Sequence, residues 1–211
     1  MSDDALLCAL HDKAAIEAAN GLVQIDYLTE LVVKRQQHDL RESHIRELQA
    51  MAVAGLYPCG GTYRDARDTI TISHSLHVPP EAAFVPSMVA EMVDWIAQAR
   101  ANGLSTLDRA AYALWRLNWI HPFRGGNGRT SRAIAYLILS MDMGLMLPGT
   151  PSLPSLIYAN RDAYVEALRD ADQSVRDGAA DPDLTTMNGY LRELVMRQLA
   201  NVVDRLSSTK H

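Results

Sequence analysis

His121, Gly125, Gly126, Gly128, Arg129 and Arg132 fall within one short run, His121-Pro-Phe-Arg-Gly-Gly-Asn-Gly-Arg-Thr-Ser-Arg132, set between two strongly apolar stretches. Glycines let main-chain amides approach an anion closely. Guanidinium groups clamp phosphate oxygens through forked hydrogen bonds. An imidazole can accept a proton near neutral pH. Together these groups are suited to phosphoryl or nucleotidyl transfer: His121 takes a proton from an attacking hydroxyl, and the amides and arginines hold the phosphate under attack. Asn127 either donates its side-chain amide to a phosphate oxygen or shapes the turn. Arg129 and Arg132 are three apart, so they share one face of a first helical turn.

That chemistry needs two helices, one ending at the histidine and one beginning in the glycines. The segment from Leu107 to about Ile120 is apolar on most sides (Ala111, Ala113, Leu114, Trp115, Leu117, Trp119), which predicts a central buried helix capped by Thr106 or Asp108. A second apolar helix is expected from about Gly128 to Leu147. Its N-terminus, preceded by the glycines, would form an anion cradle. Further helices are expected at 4–36 (with a break near Asn20-Gly21), 43–54 with Ser43 as N-cap, 81–101, 153–177 and 183–206. The β-branched residues at 69–72 give the best strand signal in the chain and suggest a short hairpin within Tyr63–Ser73. The fold class is therefore all-α with one small β-hairpin.

Bulk properties narrow the function. The chain has 211 residues, 48% hydrophobic and 21% charged, which suits one domain with a sizeable core. We divide it into an N-terminal helical extension, 1–42, and a core, 43–211. The formal charge of −5 argues against a general nucleic-acid binder. Cys8 and Cys59 read as reduced thiols. The N-terminus lacks the pattern of a signal peptide, and no apolar run is long enough to span a bilayer, so the expected location is the cytoplasm, with no membrane partner.

At its glycine-rich run the chain resembles the Fic family, whose signature is His-x-Phe-x-(Asp/Glu)-Gly-Asn-Gly-Arg-x-x-Arg. Every fixed position but one is present at the right spacing. Gly61-Thr-Tyr-Arg64, residues 69–73 and His77-Val-Pro-Pro80 resemble the family's flap hairpin and the entry to its next helix. Arg161-Asp-Ala-Tyr164, with Leu168 and Ala171, resembles the helix that follows the motif. The resemblance implies the family's helical core and transfer of AMP from ATP to a Ser, Thr or Tyr hydroxyl of a target protein. His121 would be the general base. Gly126, Asn127, Gly128 and Arg129 would bind the α- and β-phosphates, and Arg132 the γ-phosphate. The flap residues Thr69, Ile70, Thr71 and Ile72 would align the target's backbone by strand-like pairing. Tyr164 and Asp172 are candidates for the adenine side.

The one departure is Gly125, where the family places the carboxylate that ligates Mg²⁺. Its absence weakens metal binding without abolishing it, since phosphates also hold the ion; Asp65 and Asp68 are the nearest flap carboxylates in sequence. Three readings stay open: adenylyl transfer, a phosphotransferase or de-modifying hydrolase on the same site, and a non-catalytic nucleotide- or protein-binding module. Many family members also carry an inhibitory glutamate that pairs with the last motif arginine. Glu17 occupies a fitting position here, without the usual flanking residues. Glu47 is a second candidate, on the helix before the flap.

Overall fold

The computed structural model describes residues 7–9, 11–68, 70, 72 and 77–208, and eight α-helices run through them. They are α1 (Lys13–Thr29, continued by a π-helical turn Glu30–Lys34), α2 (Glu42–Val53), α3 (Val85–Ala101, entered through a 3₁₀ turn Ala82–Phe84), α4 (Thr106–Ile120), α5 (Asn127–Met143), α6 (Leu153–Ala159), α7 (Arg161–Arg176) and α8 (Thr185–Ser208).

The two helices that the site requires form the centre. Ala110, Ala111, Ala113, Leu114, Leu117 and Ile120 of α4 are buried, as are Ala133, Ile134, Ala135, Leu137 and Ile138 of α5. Alanines on both helices let them pack closely along their length. Leu28, Leu31 and Val32 of the first helix, Ile45 and Leu48 of α2, Val89 and Met92 of α3, and Met187 and Leu191 of α8 belong to the same core. At the end of the bundle away from the glycines, Asp142 of α5 pairs with Arg109 of α4 and, at 3.5 Å, with Arg100 of α3. This ion network ties three helix ends together and fixes the axial register of α4 against α5.

Several boundaries differ from the sequence expectation. Helix α4 starts one residue earlier than expected because Ser105 caps it, its Oγ accepting from the Asp108 N–H at 3.1 Å. Helix α2 starts at Glu42, so Ser43 lies inside it and Arg41 takes the N-cap position. Gly21 does not break α1, and no described residue N-terminal to Lys13 is helical. Helix α5 stops at Met143, four residues short of the expected Leu147, at a left-handed Gly144. The expected helix 153–177 is two helices broken at Asn160 (φ −111°, ψ 49°), whose side-chain amide bonds the Leu156 carbonyl at 2.7 Å. The Tyr190 hydroxyl completes the break by donating to the Ile157 and Asn160 carbonyls at 3.3 and 3.2 Å.

The expected hairpin is not seen, and part of it falls outside the described residues. Among the described residues there is no strand: residues 62–68, 70, 72 and 77–80 have no regular structure, and Thr69, Thr71 and Ser73 lie outside the described residues. Side-chain bonds organise it instead. Asp68 accepts from the Asp65 amide at 2.8 Å, and Arg67 and Arg124 bridge to the two carboxylates. A β-branched cluster favours extended backbone but cannot form a ladder without a paired partner. Among the described residues, no helix is long and apolar enough to cross a membrane.

Candidate active site

The site sits where α4 ends and α5 begins. His121 follows the last turn of α4 in the left-handed conformation (φ 50°, ψ 58°), and its N–H still bonds the Leu117 carbonyl at 2.9 Å. That conformation reverses the chain so the next residues fold back over the start of α5. For a residue with a β-carbon it costs about 1–2 kcal/mol, which the surroundings must offset.

The loop is locked by Asn127. Its Oδ1 accepts from the Phe123 N–H at 3.0 Å and its Nδ2 donates to the Phe123 carbonyl at 2.8 Å. With its side chain committed to the turn, what Asn127 offers an anion is its main-chain N–H. Phe123 is fully buried and packs on Tyr63, anchoring the loop from below. Gly126 sits at the N-cap with φ 79°, and a β-carbon there would lie 2.8 Å from Val53 Cγ1. Glycine is required on both counts.

The first bond of α5 runs from the Thr130 N–H to the Gly126 carbonyl at 2.9 Å. The amides of Asn127, Gly128 and Arg129 therefore precede the helical ladder, and no side chain caps this end. Such an uncapped terminus, rich in glycine, is a nest for an anion. Two guanidinium groups flank it. Arg132 is folded back toward the nest: a β-carbon on Gly128 would come within 3.3 Å of Arg132 Nη1, so glycine leaves room for this close approach. Its guanidinium lies 5.7 Å from the centroid of Tyr158, has no carboxylate partner among the described residues, and has its pKa drawn down by burial and by the neighbouring Arg129. Arg129 donates to the Ala52 carbonyl at 2.5 Å and pairs with Glu17 at 3.6 Å. Glu17 thus reaches the first motif arginine and not Arg132. Glu47 bonds the Tyr27 hydroxyl instead.

Asn118 joins the base to the nest. Its Nδ2 donates to Ser131 Oγ and to the Tyr164 hydroxyl, both at 2.8 Å, and its carbonyl lies 3.4 Å from His121 Nδ1. A carbonyl only accepts, so this contact selects the tautomer with its proton on Nδ1 and leaves the Nε2 lone pair for a substrate. Burial pushes the His121 pKa down to about 4, with smaller contributions from the positive charge of Arg64 and from His77, while the Asn118 carbonyl opposes the shift. The ring is neutral at physiological pH, the state a general base requires. A bound polyphosphate would raise its pKa and make it a stronger base.

Tyr164 and Asp172 are buried. The Tyr164 hydroxyl accepts from Asn118, and Asp172 accepts from Trp115 Nε1 at 2.9 Å, so both brace α7 against α4. Tyr158, which the sequence reading passed over, is the exposed aromatic ring beside Arg132. No periodicity marks it; its place depends on the break at Asn160.

The residues present do not fit a protein-held metal. Gly125 supplies no carboxylate, and its carbonyl accepts from Gln49 Nε2 at 2.9 Å. Asp68 is engaged by Arg124 at 2.7 Å. Asp65 is engaged by Arg67 at 2.6 Å and Arg124 at 3.3 Å, and the hydrogen bonds from Arg67 hold its carboxyl well below the usual range. No group of three or more ligating side chains occurs among the described residues. The backbone at Gly125 is outside the left-handed region, so conformation does not demand glycine there.

The model of the Fic/DOC family matches residues 39–139. The chain is similar to Protein adenylyltransferase Fic of Drosophila persimilis, 29% identical over 168 residues, which is 77% of this chain and 30% of that protein. It is also similar to Protein adenylyltransferase fic-1 of Caenorhabditis briggsae, 28% identical over 130 residues, 59% of this chain and 25% of that one. The chain thus spans less than a third of the length of these curated relatives. Among solved structures, a Fic-domain-containing signaling protein from Bacteroides thetaiotaomicron aligns with a TM-score of 0.70 at 24% identity, covering 87% of this chain and 70% of the other. Fic-1 from C. elegans aligns with a TM-score of 0.73 at 20% identity, covering 96% and 54%. These likenesses establish the fold.

Proposed function

We propose, from the match of the Fic/DOC family model to residues 39–139, that the protein transfers AMP from ATP to a serine, threonine or tyrosine hydroxyl of a target protein. The observation that carries this reading is the pairing of an uncapped α5 N-terminus with an Arg132 guanidinium that has no carboxylate partner among the described residues, while Asn118 links the first turn of α5, through Ser131, to a neutral His121. A half-buried cation beside unpaired amides needs an anion. A polyphosphate supplies it.

In the proposed reaction His121 Nε2 takes the proton of the target hydroxyl. The hydroxyl oxygen forms a bond to the α-phosphorus, the bond from that phosphorus to the bridging oxygen breaks, and pyrophosphate leaves. The amides of Asn127, Gly128 and Arg129, with the two guanidinium groups, hold the phosphates and stabilise the charge that develops on them. The segment around Ile70 and Ile72 would align the target. No step is assigned to a metal, because the donor set around Gly125 does not suit one. Glu17 acts as a restraint: its carboxylate occupies Arg129 when α1 is docked and competes with the phosphates for that arginine.

Incubation with ATP labelled at the α- or the γ-phosphate tests the reading. Label from the α-position on protein is the expected result. Label from the γ-position would assign phosphotransfer instead. Gly125 favours a second reading, a nucleotide-binding module without transfer, which would bind nucleotide and label nothing.

A further inference from the structure

Resting on the reading of His121 as the base, we infer that Arg64 is the positioning residue of this site, clamping the left-handed turn that aims His121 at the phosphate nest.

The last carbonyls of a helix have no partner within it, and a turn into left-handed backbone splays them. Here one side chain gathers them. Arg64 Nε donates to the His121 carbonyl at 2.8 Å, and Nη2 donates to the Ile120 carbonyl at 3.3 Å and to the Pro80 carbonyl at 2.5 Å. The Arg64 main-chain N–H bonds the Pro122 carbonyl at 2.9 Å. Three consecutive residues centred on the base are thus held by one residue more than fifty positions earlier. On the other side of the same turn, His77 Nε2 bonds the Trp119 carbonyl at 2.7 Å.

Arg64 is 6% exposed and forms no ion pair among the described residues. A buried guanidinium normally requires a carboxylate. Here the negative end of the α4 dipole and three carbonyl oxygens take that role. A planar fork of spread donors reaches carbonyls on two sides; the donors of a lysine ammonium all sit at one point and cannot span the same carbonyls. Arg64 and Pro80 also bracket the flap, so the segment proposed to align the target and the base that activates it share one anchor. Among the described residues, the charged and titratable groups that act on the His121 ring are Arg64 and His77.

The test compares wild type, Arg64→Lys and Arg64→Ala. We expect kcat for transfer to fall about 10- to 100-fold in both variants, the loss that follows a small misplacement of a catalytic group, with KM for ATP within about twofold. NMR titration of the His121 ring, which needs no turnover, separates this inference from the proposed function. Its pKa should rise in Arg64→Ala, where the charge is gone, and stay near the wild-type value in Arg64→Lys, while its chemical shifts move in both. Chemical shifts of His121 unchanged in folded Arg64→Lys, or kcat retained in that variant, would overturn the positioning role. His121→Ala with full activity would overturn the base reading alone and leave the NMR result standing.

Discussion

At the scale of single residues, the motif divides into groups that bind and one that reacts. His121→Ala should lower transfer by about 10²- to 10⁴-fold, the usual contribution of a general base, while calorimetry finds ATP affinity nearly unchanged. Arg132→Ala should do the reverse and weaken ATP binding by roughly 10- to 100-fold, since a charge-assisted hydrogen bond is worth about 1.5–3 kcal/mol. Gly125→Glu should confer Mg²⁺-dependent nucleotide binding, because it restores a carboxylate where the backbone conformation does not demand glycine. Binding that stays indifferent to Mg²⁺ in that variant would show that the missing carboxylate is not what sets metal use. These residues were legible in the sequence because the chemistry needs them contiguous. The role of Arg64 was not: the residue closes the run Gly61-Thr-Tyr-Arg64 that resembles the flap entry, but its side-chain partners lie 16 to 57 positions away, and no local pattern points to them.

At the scale of elements, the site is a junction between two buried helices, and the junction depends on Gly126. Gly126→Ala should destabilise the fold by about 1–3 kcal/mol in denaturant unfolding, combining left-handed strain with the clash at Val53. Helix α1 is the second functional element. Its Asn20 amide donates to the Ala54 carbonyl at 2.9 Å and Gln24 to the Leu48 carbonyl at 2.8 Å, so α1 docks on α2 with Glu17 beside Arg129. We expect Glu17→Ala to raise ATP affinity and transfer severalfold; unchanged values in both assays would remove the restraint. The central helices could be read from periodicity, since long apolar segments with clear stops leave little choice. The flap could not, because residues 69–72 carry strand propensity without a described pairing partner. The break at Asn160 was equally hidden, since Tyr190 supplies its partner from thirty residues further on.

At the scale of the whole molecule, partly burying a neutral imidazole at the α4–α5 junction links stability to pH. The His121 pKa lies near 4 in the folded state against about 6.5 unfolded. Between those values the unfolded chain binds more protons, so stability falls as pH drops from about 6.5 toward 4, on the order of 3 kcal/mol in total. His44, whose pKa is also lowered by burial, adds the same sign. Unfolding measured across this range should show the slope in wild type and a smaller one in His121→Gln. The measurement closest to the central claim follows the His121 ring by NMR as ATP is added in EDTA. We expect saturable shifts and a pKa that climbs from about 4 as the phosphates settle beside Nε2. A ring that titrates identically with and without saturating nucleotide would contradict the account, because the nest would then be holding its anion out of reach of the base.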